Sequence, residues 1–175
     1  MLTLDDLRSH VARLAEVGDA HVLLSAPTSR EIVLQAGRAP VETVVAHATV
    51  PMLQARRADK LAQLRDVVEP TSVVLAIRKK AGRNRDHVVL GRASTADIVI
   101  PDHSVSQVHA HFLFDVDESP VSVIDINSTN GTFLNRQRLQ AHMSTPLTTG
   151  DCLRFGQSVF YFLSNHALRG LLERD

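Results

Sequence analysis

The sequence has one cysteine, few aromatic residues and no excess of either charge. The single cysteine, Cys152, excludes a disulfide within the chain, and its place in the alternating run DCLRFG predicts a buried, inert thiol. Tryptophan is absent and aromatic residues make up 4% of the chain, so stacking platforms for single-stranded nucleic acid are few. Nineteen basic residues balance nineteen acidic ones. We therefore expect no general nucleic-acid-binding or membrane-binding surface.

Long hydrophobic runs are also missing. No stretch approaches the roughly 20 apolar residues of a membrane span, and the opening MLTLDDLRSH lacks the basic-then-apolar layout of a signal peptide. These features predict a cytoplasmic protein. With 175 residues, 44% of them hydrophobic, the chain can bury the core of one domain, or of one domain with an appendage.

Residues 1–70 have a mixed pattern, which predicts a small α/β extension of unknown role. Apolar residues at helical spacing follow Thr3 and end at Gly18, and a second helical face follows Pro51. Between them, HVLLSAPTSREIVLQAG consists of two short apolar runs around a turn, which favours a β-hairpin. Pro70 disfavours helix at Glu69 and suggests a boundary there. We expect this extension to pack on the rest of the chain or on a second copy.

Residues 71–175 have a period of two instead. Eight short alternating or β-rich runs are separated by turn residues: SVVLAIRK, HVVLGR, DIVI, HAHFLFDV, VSVIDI, TFLN, CLRFG and SVFYFLS. Many short strands at this spacing predict a mainly β fold, a sandwich or a barrel. The run VHAHFLFD indicates a half-buried strand, with Val108, Ala110, Phe112 and Phe114 on its apolar face and His109, His111 and Asp115 on the other. The final NHALRGLLERD favours a short helix.

Three loops among these strands carry polar side chains. DINSTNGTF contains Asn130-Gly131, a strong signal for a β-hairpin turn because both residue types adopt positive φ. LGRAS ends a strand with Arg92, and DHSVSQVHAHF supplies Ser104, Ser106 and His109. A guanidinium, several hydroxyls and an amide, with no carboxylate pair or thiolate beside them, are the donors of a phosphate-binding site.

These loops resemble the forkhead-associated (FHA) family. The resemblance rests on GR followed by ASTADIVIPDHSVSQVHAHF, then IDINSTNGTFLN and LTTGDCLRFG, and it covers roughly Val73 to Ser164. It implies a sandwich of two twisted sheets whose loops, at one end, recognise phosphothreonine peptides. The implied partners are a phosphothreonine-containing protein or peptide and a Ser/Thr kinase or its substrate. The implied protein is a non-enzymatic signalling adaptor without a cofactor or metal.

The resemblance also assigns roles to individual residues. By position, Arg92 and Ser106 resemble the two phosphate-binding residues, Thr129 the residue that adds a phosphothreonine contact, and Asn130 the one that holds the peptide backbone. Residues that resemble the structural residues of the loops are Gly91, His109 and Gly131.

Gln107 departs from the family, which usually has Arg or Asn at this position. A glutamine can hydrogen-bond a peptide carbonyl or a phosphate oxygen, but it supplies no charge. A hydrogen bond to a charged group contributes roughly 1.5–3 kcal/mol, so the substitution can weaken binding tenfold or more. One alternative is therefore a sandwich that binds proteins independently of phosphate, its phosphate site decayed at Gln107.

The same part of the sequence also allows other functions. His109 and His111 form an H-x-H pair that a metal-dependent hydrolase would use, with Asp115 as a distant third ligand. Ser106, His109 and Asp125 can be written as a catalytic triad, although no G-x-S-x-G elbow accompanies them. The run RKKAGRNR, residues 78–85, predicts a basic hairpin loop that is solvated or attracts acidic flanks of a ligand.

Overall fold

The computed structural model describes residues 2–3, 5, 7, 21–26, 59–65, 69, 71–82, 86–114 and 120–172. The strands are β1 Leu2–Thr3, β2 Val22–Ser25, β3 Val73–Ala76, β4 His87–Gly91, β5 Ile98–Val99, β6 Ala110–Phe114, β7 Pro120–Asp125, β8 Thr132–Leu134, β9 Gln137–Arg138, β10 Thr145–Pro146, β11 Asp151–Phe155 and β12 Ser158–Leu163. Residues 59–65 are helical, and a second helix spans Asn165–Leu172.

The strands form two sheets. One has seven strands in the order β1-β3-β2-β12-β11-β8-β9, and the other has five in the order β10-β7-β6-β4-β5. All pairs are antiparallel except β4 with β5. The predicted mainly β sandwich with a short C-terminal helix is confirmed. Each of the eight predicted runs contains a strand. The two-residue strands β1, β9 and β10 lie outside these runs and were not predicted.

The main core lies between the two sheets. Ring contacts join the sheets, since Phe112 of β6 and Phe155 of β11 meet edge to face at 6.3 Å between centroids. The other buried members are Leu23, Ile77, Val88, Leu90, Ile98, Ile100, Val105, Ala110, Val123, Leu147, Leu153, Phe160 and Phe162. This core sets the separation of the sheets and fixes the strand ends that carry the polar loops.

A second core covers the outer face of the seven-stranded sheet. Tyr161 and Cys152 of neighbouring strands pack there with Leu168 of the C-terminal helix and Leu64 of the helical segment 59–65. Cys152 is 2% exposed, as expected for a buried thiol. The other buried members of this second core are Leu7, Val22, Leu24, Val74, Leu163, Ala167 and Leu171.

Strands from before Pro70 pair directly with strands after it. β2 lies between β12 and β3, with Leu23 opposite both Phe162 and Leu75. The second half of the expected hairpin and most of the expected N-terminal helix lie outside the described residues. The boundary at residue 70 stays a prediction, but both sides of it contribute to one sheet.

The loop DINSTNGTF does not close a hairpin, which corrects the expectation from sequence. β7 belongs to the five-stranded sheet and β8 to the seven-stranded one, so residues 126–131 cross from one sheet to the other. Positive φ occurs at Asn127 (52°) and Gly131 (83°), not at Asn130. The basic run likewise connects β3 and β4 of different sheets, and residues 83–85 lie outside the described part.

The alternation expected around His109 begins later than the sequence suggests. β6 starts at Ala110, so Val108 belongs to the preceding loop and is 44% exposed, whereas His109 is fully buried. Ala110 and Phe112 face the core as expected. Before β6, the carbonyls of Ser106 and Gln107 accept the main-chain N–H groups of Arg92 and Ala93, which directly follow β4, so these residues are held as a loop and not as part of the strand.

Candidate functional site

The three polar loops meet at one end of the sandwich. β4 ends at Gly91, β7 ends at Asp125 and β6 begins at Ala110, and antiparallel pairing of these neighbours brings their loops together. An open cleft of about 330 Å³ lies among the loops. It is lined by Arg92, His103, Ser104, Val105, Ser106, Gln107, Thr129 and Asn130. All five predicted ligand-binding residues therefore share one cleft, and sequence reasoning missed His103 and Val105.

Arg92 stands at the exposed end of β4 and is fastened to the opposite loop. Its main-chain N–H donates to the carbonyl of Ser106 (2.9 Å), and its Nε donates to the carbonyl of Val105 (3.2 Å). Among the described residues, no hydrogen bond is made by the terminal nitrogens of this guanidinium. Gly91 must be glycine here, because a Cβ would overlap the carbonyl oxygen of Gln107.

Ser106 and Thr129 connect two loops through their hydroxyls. The main-chain N–H of Thr129 donates to Ser106 Oγ at 3.0 Å, and Ser106 Oγ lies 3.4 Å from Thr129 Oγ1. Because the second contact is long, the Ser106 proton can turn toward an incoming oxyanion at little cost.

His109 supports the cleft from below. Its Nδ1 accepts the main-chain N–H of Ser106 (3.0 Å), which leaves Nε2 to donate to the carbonyl of Gly131 (3.3 Å). The ring also meets Phe155 edge to face, at 5.7 Å between centroids. Burial lowers the pKa of His109, and this outweighs the opposing effects of the Gly131 carbonyl and of Asp125. The imidazole is thus neutral and connects the loop of Ser106 with the loop of Gly131.

Asp125 organises the crossing loop at the end of β7. Its carboxylate is 3% exposed and accepts the N–H of Ser128 (2.9 Å), the hydroxyl of Ser128 (2.6 Å) and the hydroxyl of Thr132 (2.5 Å). Burial by itself would raise the pKa of Asp125, but these hydrogen bonds together hold the pKa below its ordinary value. An aspartate followed by serine three residues later is a local signal for such a turn.

Asn130 is oriented by the loop on the other side of the cleft. Its Nδ2 donates to the carbonyl of Ser104 at 2.7 Å. Ser104 is held in turn, since its N–H donates to Asp102 (2.8 Å) and its hydroxyl accepts the N–H of Gln157 (2.8 Å). Ser158 completes this support by donating to Asp102 at 2.5 Å.

The segment that carries these loops matches a known protein family. Residues 88–156 match the family model described as FHA domain. The chain contains an FHA domain. The matched segment includes every residue for which the sequence predicted a role at the site, from Gly91 to Gly131.

Relatives share this segment of the chain. The chain is 35% identical over 77 residues to the oxoglutarate dehydrogenase inhibitor of Corynebacterium glutamicum, across 44% of this chain and 50% of the relative. It is 35% identical over 74 residues to the glycogen accumulation regulator GarA of Mycobacterium tuberculosis, across 42% and 43% of the two proteins. The chain thus spans about half the length, or less, of these curated relatives.

One solved structure is also similar to part of this chain. Described as "Structural and functional analysis of phosphothreonine-dependent FHA domain interactions", it is 28% identical, with a TM-score of 0.43, and covers 52% of this chain and 83% of that one. In the part of the present chain that the structure describes, no helix is long and apolar enough to cross a membrane.

The catalytic alternatives are not favoured by the contacts inside this FHA domain. In the proposed triad, His109 accepts the main-chain N–H of Ser106 instead of its hydroxyl, and Asp125 is turned to Ser128 and Thr132. In the H-x-H pair, His111 stacks on His87 with ring centroids 4.2 Å apart.

The described residues of the cleft include no metal site and no residue of the basic run 78–85. Among the described residues, no three His, Cys, Asp or Glu side chains are grouped to hold a metal. Asp115, the distant third ligand for the H-x-H pair, lies outside the described residues. In the basic run, Lys80 Nζ donates to the carbonyl of Ser94 (2.8 Å) and Lys79 Nζ lies 5.8 Å from the centroid of the Phe114 ring.

Proposed function

We propose that this FHA domain binds phosphothreonine-containing peptides or proteins in the cleft and acts as an adaptor in Ser/Thr kinase signalling or assembly. One observation carries the proposal: one cleft is lined by Arg92, Ser106, Thr129 and Asn130. The loops that carry them are held in place by hydrogen bonds of the buried His109 and Asp125. Of the eight described residues that line the cleft, none is a carboxylate, so nothing there repels a phosphate. The names of the two curated relatives, an inhibitor and a regulator, agree with a regulatory role.

Each residue has a distinct task in this proposal. The Arg92 guanidinium and the Ser106 hydroxyl bind phosphate oxygens with charge-assisted hydrogen bonds. Thr129 adds a contact to the phosphothreonine. Asn130 Nδ2 donates one N–H to Ser104, which orients the amide so that its Oδ1 accepts a peptide N–H. Gln107, exposed at the rim, offers a neutral amide.

Catalysis and a cofactor are not part of the proposed function. His109, which lies beneath the cleft, has both ring nitrogens engaged with the main chain, so it is placed to hold loops instead of moving protons. A cytoplasmic location, expected from the composition and the opening residues, belongs to the same proposal.

The decisive test is Arg92→Ala. A phosphothreonine peptide selected from a degenerate library by the full chain is titrated into wild type and variant by calorimetry. We expect a loss of affinity of about tenfold to a hundredfold, because a charged, two-pronged contact of roughly 1.5–3 kcal/mol is removed. Arg92→Lys should also bind poorly, since an ammonium is a point charge without the guanidinium fork.

Matched controls make this test specific. Arg136→Ala removes another exposed arginine, in the turn between β8 and β9, and should bind like wild type. The unphosphorylated peptide should not bind. If Arg92→Ala retains wild-type affinity while folded, the phosphate site is assigned to the wrong residues.

A phosphate-independent interaction domain is the second candidate. It is favoured by the neutral Gln107 and by Val108, which is 44% exposed directly after it. Equal affinity of the wild-type chain for phosphorylated and unphosphorylated forms of a selected partner peptide would establish this candidate in place of the first.

A further inference from the structure

Arg138 lies beside the proposed peptide site but outside the cleft. It belongs to the short strand β9, where Arg138 pairs with Phe133 of β8 and the next residue, Leu139, donates its N–H to the carbonyl of Thr132 (2.9 Å). The main chain on both sides of Arg138 is therefore held by β8, the strand that directly follows the loop 126–131.

Gly131 makes room for the guanidinium of Arg138. A Cβ on Gly131 would lie 2.8 Å from Arg138 Nε and 3.2 Å from its Cζ. The guanidinium thus packs on the main chain of the loop 126–131, at Gly131, one residue after Asn130. With about 1.5 Å for a Cα–Cβ bond and about 3.8 Å between consecutive Cα atoms, Nε is within about 8 Å of the Asn130 Cα atom.

The charge of Arg138 is available to a ligand. The side chain is exposed, and in the described part of the chain no carboxylate pairs with it. It is not among the residues that line the cleft, so a phosphate held by Arg92 and Ser106 does not contact it. A neighbouring acidic group on the same ligand can do so, because an extended peptide advances about 3.3–3.6 Å per residue.

We propose that Arg138 is a specificity-determining residue that binds an Asp or Glu side chain two or three residues from the phosphothreonine. This inference rests on the proposed function of the cleft. An aspartate or glutamate gives Arg138 a planar carboxylate, which matches the guanidinium fork. It also means that the ligand carries its negative charge at two points, one in the cleft and one beside Gly131.

The test compares peptides with and without one acidic residue. The reference is a phosphothreonine peptide with alanine at the three positions on either side. Six further peptides each carry a single Glu at one of these positions. Dissociation constants are measured by fluorescence anisotropy for the full wild-type chain, Arg138→Gln and Arg136→Ala, at low and at physiological salt.

Wild type should bind one of the peptides with Glu two or three residues away about twofold to fivefold more tightly than the reference, as exposed ion pairs are modest. This ratio should fall to about one in Arg138→Gln, remain in Arg136→Ala, and shrink as salt rises. Arg138→Glu should invert it. Arg138→Lys should keep part of it, which separates a charge effect from a structural one.

Two results would overturn the inference while the proposed function stands. One is a Glu preference that persists in Arg138→Gln; the other is tight binding of the reference peptide with no gain from Glu at any position. Failure of wild type to bind every phosphothreonine peptide, the reference included, would overturn the proposed function and this inference together.

Discussion

Single residues decide how much charge the cleft offers. Arg92 is the one permanently charged residue among the eight described residues that line it, and a bound phosphothreonine carries roughly −1.5 to −2 charges at neutral pH. Gln107 lies on the rim with an exposed, neutral side chain, and its carbonyl oxygen packs against Gly91. The remaining phosphate charge is left to hydroxyls, main-chain N–H groups and water.

Gln107→Arg should therefore tighten binding of a phosphothreonine peptide. A second guanidinium on the rim adds a charged hydrogen bond of about 1–2 kcal/mol, or roughly tenfold in affinity. Calorimetric titrations of wild type and variant at low and high salt measure the effect, which should shrink with salt because the site is exposed. An unchanged dissociation constant at low salt would mean that the side chain at 107 does not reach the phosphate.

At the scale of elements, the binding loop 101–107 is fastened to a different hairpin. Gly156, in the turn between β11 and β12, has a φ of 61°, and a Cβ there would overlap the carbonyl of Ser104. Ser158 at the start of β12 donates to Asp102, and Gln157 donates to Ser104. The position of Asn130, which donates to Ser104, thus depends on the register of β11 and β12.

Ser158→Ala should weaken peptide binding although Ser158 does not line the cleft. The variant removes the hydrogen bond that holds Asp102, so the loop that carries Ser104 and Ser106 becomes less well ordered. We expect a loss of affinity of about threefold to tenfold, comparable to one net hydrogen bond of about 1 kcal/mol. Calorimetry with one phosphopeptide measures it. Wild-type affinity in this variant would show that the turn does not position the loop.

A matched control separates positioning from general destabilisation. Ser144→Ala removes a hydroxyl–hydroxyl bond to Ser122 (2.9 Å), and neither of these serines lines the cleft. This variant should lose similar stability and retain its affinity for the peptide.

At the scale of the whole molecule, the sheet depends on residues from before Pro70. β2 separates β12 from β3 in the seven-stranded sheet, and Val22, Leu23 and Leu24 are all 0% exposed. Full burial of each such side chain contributes about 1.5–3 kcal/mol. Together they approach the 5–15 kcal/mol that stabilises a typical domain.

A fragment of residues 71–175 should consequently fail to fold as a stable sandwich. Without β2, the edges of β3 and β12 that pair with it lose their partner strand, and the core surface that Leu23 covers is exposed. Urea unfolding and amide dispersion in NMR spectra of the fragment measure this. The single substitution Leu23→Ala in the full chain should cost about 2–5 kcal/mol. A cooperative fragment with wild-type stability would show that β2 is dispensable.

Acid should destabilise the molecule through its histidines. Burial lowers the pKa values of His21, His109 and His111 below the ordinary 6.5. Below that pH the unfolded chain binds protons that the folded chain resists, so stability is fully present above about pH 6.5 and is lost as the pH falls toward the folded pKa values. Below about pH 4, protonation of Asp125, whose pKa is also lowered, removes more.

The free energy of unfolding in urea should accordingly fall between pH 7.5 and pH 5.5. His111→Gln should make this fall shallower by removing one contributor, whereas exposed His103→Gln serves as the control. A free energy that stays constant over this interval in wild type would contradict the shifts.

Much of the fold and of the site could be predicted from local sequence. Alternating runs predicted eight strands because side-chain direction in a strand depends only on neighbouring residues. The polar loops and the FHA resemblance identified Arg92, Ser106, Gln107, Thr129 and Asn130, which share the cleft. The alternation of side chains along a strand and the polar residues of a loop are local properties of the sequence. They can therefore be predicted without knowing which strands pair.

Only the tertiary structure decided which strands pair. The loop after Asp125 has the composition of a hairpin turn but crosses between sheets, because burial of β7 and β8 in one core outweighs the preference of Asn130-Gly131 for a hairpin. Pairing also inserts β2 into a sheet formed with strands some 50 or more residues away, and packs Arg138 on Gly131. Such contacts depend on long-range burial of apolar surface, which local periodicity does not encode.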